Sequence, residues 1–137
     1  MRASFKHLLV VAIVLGTTFY ACEPDDSIDP TVTRQDYLGQ WIGASDGPIG
    51  GPINFTMNII ASGSSGDGIR MENFDGYGQG TYVSASVSAG NITIPRNVIG
   101  SDTIQGSGSY RSDGTLSFNY TIRDGQSVDQ RTATATR

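Results

Sequence analysis

The sequence lacks most of the side chains that enzymes use for catalysis. Its 137 residues contain one cysteine and one histidine, and Lys6 is the only lysine. Without further histidines, the chain cannot build a Ser-His-Asp arrangement or a histidine-bound zinc site. It also has no spare cysteine or lysine to serve as a covalent nucleophile. We therefore expect no enzyme activity, no metal site and no cofactor.

Acidic residues are the remaining candidates for chemistry. Two carboxylates at a set separation are sufficient for a glycosidase-type hydrolase. However, several aspartates precede glycine, as in Asp75-Gly76 and Asp124-Gly125, and this dipeptide is typical of turns. We interpret these acids as turn residues and keep a carboxylate-only hydrolase as the least favoured alternative.

Long hydrophobic runs are also missing. The longest run, residues 8–16 (LLVVAIVLG), follows Arg2 and Lys6. It is far shorter than the ~20 apolar residues of a membrane-spanning helix. A basic start, a short apolar run and a small residue at its end are typical of an export signal. Residues 1–21 are therefore predicted to be a signal peptide.

The single cysteine lies in a context that resembles a bacterial lipoprotein precursor. Small Ala21 directly precedes Cys22, and in lipoproteins this cysteine becomes the acylated N-terminus. Several acyl chains anchor a protein stably, whereas one gives only marginal binding. The resemblance implies that Cys22 is the lipid attachment site and that the membrane is a partner through the N-terminal lipid. An ordinary signal peptide, leaving an unmodified thiol at Cys22, is the alternative.

The residues after Cys22 are acidic. Glu23, Asp25 and Asp26 resemble the export tag that directs lipoproteins of Bacteroidetes-type bacteria to the outer face of the outer membrane. The resemblance implies an outer-membrane location facing the cell exterior. Residues 22–36 are predicted to be an acidic, flexible tether. Ser27, within Asp-Ser-Ile, resembles an O-glycosylation motif of the same bacteria.

Negative charge dominates the predicted mature chain. Removing residues 1–21 leaves seven arginines against 13 acids, a formal charge of −6. A protein of this charge is not expected to bind nucleic acid, because phosphate backbones attract basic surfaces.

Residues 37–137 are predicted to form one all-β domain. Apolar and polar residues alternate within several short segments that are separated by glycine-rich turns, and no segment is convincingly helical. Gly106 and Gly108 suggest a bulge or a close backbone approach. The pattern favours an antiparallel barrel or sandwich. The eight predicted strands cover residues 38–43, 53–61, 69–74, 81–87, 91–95, 102–110, 115–122 and 127–136.

The first predicted strand contains Gly39-Gln40-Trp41, a G-x-W motif. This motif resembles the one that begins the up-and-down barrels of the calycins, the superfamily of lipocalins and avidins. In that family the tryptophan closes one barrel end, and an arginine or lysine from a late strand packs across it. The resemblance implies a small antiparallel up-and-down eight-stranded barrel closed by Trp41 and Arg131. A β-sandwich is the alternative, and a packed interior is expected in a barrel this small.

Within residues 37–137 the chain has, in order, the segments YLGQWIG (37–43), INFTMNII (53–60), NFDGYG (73–78), NITIP (91–95) and YTIRDG (120–125). This order also resembles a set of small Bacteroidetes lipoproteins without an established biochemical function. Our first hypothesis is a lipid-anchored cell-surface accessory or binding module. Its partner would be an unknown protein, a glycan or a small apolar ligand, with Tyr77, Tyr82 and Tyr110 as candidate contacts. The alternative is a calycin-like protease inhibitor that inserts its N-terminal segment into a protease.

Overall fold

The structure is a computed structural model that describes residues 27–137. The predicted signal peptide, Cys22, Glu23, Asp25 and Asp26 lie outside the described residues. A four-residue helix α1 (Arg34–Tyr37) precedes the strands, and a 3-10 turn (Phe74–Gly76) lies between the third and fourth. The strands are β1 (Gly39–Asp46), β2 (Ile53–Ala61), β3 (Gly68–Glu72), β4 (Tyr82–Ser88), β5 (Asn91–Ile99), β6 (Asp102–Tyr110), β7 (Leu116–Arg123) and β8 (Val128–Thr136).

Over residues 27–137 the eight strands form one closed barrel. Each strand pairs antiparallel with the next, and β8 returns to pair with β1. Closure leaves no sheet edge unpaired, which is how a small all-β chain satisfies its backbone groups without a second sheet. The prediction of an up-and-down eight-stranded barrel is confirmed, and the sandwich alternative is wrong.

The barrel interior is filled by the chain's own side chains. Alternate residues of each strand point inward, as in β8, where every second residue is buried. Inward residues of neighbouring strands meet along the barrel axis and bury apolar area from water. The largest side chains with almost no exposure are Trp41, Tyr37, Phe74, Phe118, Met57, Ile59, Ile69, Met71, Ile92, Ile104, Leu116 and Val83.

Two inward-facing glycines of β6 make room for this filling. A Cβ atom on Gly106 would lie 2.6 Å from the Cβ of Tyr120, and one on Gly108 would lie 2.7 Å from Cδ1 of Phe118. Both separations are shorter than van der Waals contact, and the carbonyl oxygens of Asn119 and Ser117 would lie closer still, so a larger residue would push β6 and β7 apart. The predicted close approach of the backbone is therefore confirmed at these positions.

Strand β5 is longer than predicted. We expected it to end at Pro95, but it runs to Ile99 through a register shift between Ile94 and Asn97. A bulge tolerates proline because the irregular position needs no ladder hydrogen bond. The Asn97 side chain then donates to the Ser84 carbonyl at 3.0 Å and accepts from the Ser84 N–H at 2.9 Å. Asn97 thus replaces backbone pairing with β4 beyond the bulge.

Trp41 closes one end of the barrel, but its cationic partner is Arg137. The Arg137 guanidinium lies 4.3 Å from the centre of the Trp41 ring, which is cation–π geometry. Arg137 also donates to the carbonyls of Asp36 and Leu38, both at 2.7 Å. The indole N–H of Trp41 donates to the Tyr37 carbonyl at 2.8 Å. We call this the closed end.

The predicted pair of Trp41 with Arg131 is wrong, and strand register gives the reason. Ile42 pairs with Thr136, which puts Trp41 beside Arg137, while Asp46 pairs with Thr132, which puts Arg131 beside Gly47. Trp41 and Gly47 are six residues apart along the β1 strand and its continuation, or about 20 Å at ~3.3 Å per residue. Arg131 therefore lies at the opposite end of the barrel.

The predicted flexible tether is also wrong for residues 27–36. Ile28 forms a β-bridge with Arg111, and the Asp29 N–H donates to the Tyr110 carbonyl at 2.9 Å. Arg34 then donates to the Ser65 carbonyl at 2.9 Å. These contacts hold the segment against the loops of the closed end. Acidic composition alone did not reveal them, because the partners are more than 30 residues away in sequence.

Candidate functional site

Four connections meet at the barrel end opposite Trp41. They are the β1–β2 loop (residues 47–52), the β3–β4 connection that contains the 3-10 turn, the β5–β6 turn and the β7–β8 turn. Because the strands alternate in direction, every second connection lies at the same end of an up-and-down barrel. We call this the open end, and it brings together side chains that are far apart in sequence.

A buried ionic cluster lies just inside the open end. Arg131 is 2% exposed, and its guanidinium lies between the carboxylates of Asp75 and Asp129. Arg131 Nη1 donates to Asp129 Oδ2 at 2.9 Å, and Arg131 Nε lies 3.1 Å from Asp75 Oδ2. The second contact is electrostatic and lacks the alignment of a hydrogen bond. Nη2 donates to Ser45 Oγ at 3.0 Å and to the Gly51 carbonyl at 2.9 Å.

Asp75 reaches the cluster through an unusual backbone conformation. Asp75, within the 3-10 turn, has φ 54°, and Asn73, which directly precedes the turn, has φ 56°. Asparagine and aspartate tolerate this left-handed region better than most residues. The Asp75 carboxylate then accepts hydrogen bonds from the hydroxyls of Ser45 and Tyr120. We predicted Asp75 as a turn residue, which is correct for its backbone, but its side chain is buried in the barrel.

Asp129 connects the cluster to the β1–β2 loop. Its carboxylate accepts from the N–H groups of Ile49 at 3.1 Å and Gly50 at 2.9 Å. Burial opposes ionisation of Asp129, but the hydrogen bonds from Gly50 and Arg131 outweigh it and hold the pKa below its usual value. The loop packs closely on the guanidinium, because a Cβ on Gly50 would lie 2.5 Å from Arg131 Nη1. Asp129 is therefore ionised, and its carboxylate is held by the two loop N–H groups and by Arg131.

Tyr120 completes the inner side of the cluster. Its hydroxyl donates to Asp75 Oδ1 at 2.9 Å. Burial raises the pKa of Tyr120 above its usual value, and the Asp75 carboxylate raises it further. The phenol therefore stays neutral at physiological pH and acts as a hydrogen-bond donor, since its unperturbed pKa is already about 10.

A pocket of about 330 Å³ lies above this cluster, between the four connections of the open end. We call it the acidic pocket. Ile49, Ile53 and Ile122 form its apolar walls. Tyr77 also lines it and donates its hydroxyl to Asp102 at 2.7 Å. Burial and this hydrogen bond raise the pKa of Tyr77. The pocket volume lies within the range of small-molecule sites in proteins.

A larger groove of about 560 Å³ runs along the outer face of β5–β8. It is lined by polar residues such as Gln105, Asn119 and Gln130, all of which are exposed. Only Arg131, at its edge, brings a buried charge. The acidic pocket, which combines apolar walls with several carboxylates, is the better candidate site.

The other residues predicted from the sequence, Tyr110, Tyr82 and Ser27, contact neighbouring side chains outside the acidic pocket. Tyr110 packs edge-on against Tyr37 and Trp41 at the closed end. Tyr82 is 38% exposed, with the Arg70 guanidinium 5.0 Å from its ring centre. Ser27 is exposed, and its hydroxyl lies 2.5 Å from that of Ser112, so a glycan there would replace a hydrogen bond. Of the three tyrosines, Tyr77 alone lines the acidic pocket.

Among residues 27–137, no group of three or more His, Cys, Asp or Glu side chains lies close enough together to hold a metal ion. In the same range no helix is long and apolar enough to cross a bilayer.

Sequence reasoning missed the ionic cluster, although one signal was present. In β8, Asp129 and Arg131 share the inward face with Ala133 and Ala135. Charged residues on the apolar face of a strand are rarely buried unless they are paired, so this pattern could have indicated a buried ion pair. Nothing in the local sequence indicated Asp75 as its third member.

A scan of the chain against protein-family models found no match, and a search of curated proteins found none either.

Proposed function

We propose that this protein is a lipid-anchored binding module of the outer-membrane surface without catalytic activity of its own, and that its binding site is the open end of the barrel. The observation that carries the proposal is the arrangement of the two barrel ends. The N-terminal segment, which follows Cys22, is bound at the closed end, and the acidic pocket lies at the other.

An anchor at Cys22 would therefore lie on the side of the domain opposite the pocket. Ser27 is hydrogen-bonded to Ser112 beside the closed end, and Cys22 is five residues earlier in the sequence. Five residues span at most about 18 Å. An acylated Cys22 would keep the closed end near the lipid surface. The open end would then face away from the membrane, where a partner can reach it.

The chemistry of the open end favours binding over catalysis. Both buried carboxylates, Asp75 and Asp129, are ion-paired with the same guanidinium. A general acid needs a carboxyl group that holds its proton near neutral pH, whereas the pKa of Asp129 is lowered. A carboxylate-only hydrolase therefore remains the weaker alternative.

The closed end supports a calycin-like origin for the fold. Trp41 of the G-x-W motif packs under Arg137, which follows the last strand, and not under the predicted Arg131. A cationic side chain over this tryptophan is the feature that the resemblance implies. The alternative function, a protease inhibitor, needs an N-terminal arm that is able to leave the barrel. Hydrogen bonds from Asp29 and Arg34 to the closed end oppose that movement.

The anchor is tested by Cys22→Ser in cells. We expect the variant to fold and to leave the membrane fraction, whereas wild type stays in it. External protease should cleave wild type on intact cells, and replacing Asp25 and Asp26 with alanine should protect it. Equal membrane partitioning of variant and wild type would refute the anchor, and protection of wild type from protease would refute the surface location.

A further inference from the structure

The shape and walls of the acidic pocket define the kind of molecule that fits it. Three isoleucines, Ile49, Ile53 and Ile122, form one part of its lining. Ile49 is 61% exposed, so part of this apolar surface faces water in the unliganded protein. A ligand with an apolar group would remove this surface from water, which favours binding. The ligand should therefore have an apolar body.

The charge of the lining selects among such molecules. Asp75, Asp102, Asp124 and Asp129 line the pocket with a single cation, Arg131. The guanidinium is already engaged by Asp75 and Asp129. Within the described part of the chain, neither Asp102 nor Asp124 has a cationic side chain at ion-pair distance. The pocket lining therefore carries more negative than positive charge.

Asp102 is the carboxylate best placed to receive a ligand. It accepts from the Tyr77 hydroxyl at 2.7 Å and, at 3.5 Å, from Ser101. A carboxylate has about four acceptor positions, so Asp102 keeps capacity for further donors. Asp124, by contrast, accepts from the N–H groups of Gln126 and Ser127 in its own turn. Tyr77 adds an aromatic ring, to which an organic cation is attracted.

A bare metal ion does not suit the same residues. No three acidic side chains of residues 27–137 converge closely enough to coordinate one. A cation on an organic body, in contrast, needs only one carboxylate and an apolar wall. We propose that the acidic pocket binds a small organic ammonium compound, with its charged nitrogen at Asp102 and its apolar part against the isoleucines. This proposal specifies the ligand class of the binding module proposed above and rests on that function.

The test uses the protein labelled with ¹⁵N and purified from a whole-cell lysate in non-ionic detergent, so that it is recovered whether or not it is attached to a membrane. Phenethylammonium chloride is the probe, and 2-phenylethanol and 3-phenylpropionate are its neutral and anionic counterparts. We expect the ammonium compound to shift the amide signals of Gly50, Gly76 and Tyr77 with a Kd of about 1 mM. The alcohol should bind at least several-fold more weakly, and the carboxylate should leave these signals unchanged. Equal shifts by all three compounds, or shifts confined to the closed end, would overturn the proposal.

Two further measurements identify the charge contact. Asp102→Asn should weaken probe binding about tenfold, the loss expected for one charge-assisted hydrogen bond. Asp67→Asn removes the same charge from an exposed position at the closed end and should change affinity less than twofold. Raising the salt concentration should weaken binding to wild type, because salt screens the attraction.

Unchanged affinity in Asp102→Asn, or affinity independent of salt, would overturn the proposal. This experiment does not depend on membrane attachment. A failure here leaves the anchor result with Cys22→Ser intact, and a failure of the anchor leaves the pocket result intact.

Discussion

Replacing Arg131 tests whether the buried ionic cluster holds the open end together. Arg131→Met keeps a long unbranched side chain but removes the guanidinium. Asp75 and Asp129, which are 5% and 7% exposed, would then lose their counter-charge. Breaking a buried ion pair by removing one partner typically costs about 3–5 kcal/mol. We expect the free energy of unfolding at pH 7 to fall by that amount, measured by urea denaturation followed by circular dichroism.

The loss of stability in Arg131→Met should become smaller as the pH falls. In wild type the lowered pKa of Asp129 contributes stability that is present above the unfolded pKa, about 3.9. This stability is lost as the pH falls through the lower pKa that Asp129 has in the folded protein. In Arg131→Met the buried Asp129 carboxylate lacks its cation, and its pKa should rise above the unfolded value, because burial then opposes ionisation without a neighbouring cation. The variant's penalty is then relieved as the pH falls from 7 to about 4, so the stability difference should shrink.

Arg123→Met is the matched control. Arg123 is an exposed residue at the end of β7, and a surface replacement of this kind changes stability by at most about 0.5 kcal/mol. Combining Arg131→Met with Asp75→Asn should cost less than the sum of the two changes, because the residues are in contact. A loss below about 1 kcal/mol for Arg131→Met, with no change between pH 7 and 4, would refute the reasoning.

Two further predictions concern the rest of the barrel. Arg137→Ala should lower the free energy of unfolding by about 1–2 kcal/mol, and its effect should not add to that of Trp41→Ala in a double-mutant cycle. The effect of Arg131→Ala, in contrast, should add to that of Trp41→Ala. The opposite pattern would contradict the pairing of Trp41 with Arg137. Gly106→Ala should cost at least about 1–3 kcal/mol, because its methyl group would meet β7. The control Gly66→Ala has open space around it and should be near neutral in thermal unfolding.

Local patterns were sufficient to predict most of the fold. The alternation in residues 53–61 predicted β2 with the bounds that the structure has, and β6 also coincides with its predicted range. Alternation determines which side chains share a face, and the glycine-containing turns determine where the chain reverses. Both signals act over a few residues, so they can be read without knowing the fold. The G-x-W motif added the correct barrel type through the resemblance to calycins.

The candidate site could not be derived in the same way. That Trp41 meets Arg137 and not Arg131 depends on the register between β1 and β8, two strands at opposite ends of the barrel sequence. Asp75 joins Arg131 only because a left-handed turn directs its carboxylate into the barrel. The sequence by itself determined the strands, their inward faces and the all-β class, since those follow from short-range periodicity. Only the tertiary structure decided which charges meet at the open end, because closing the barrel brings together residues more than 50 positions apart.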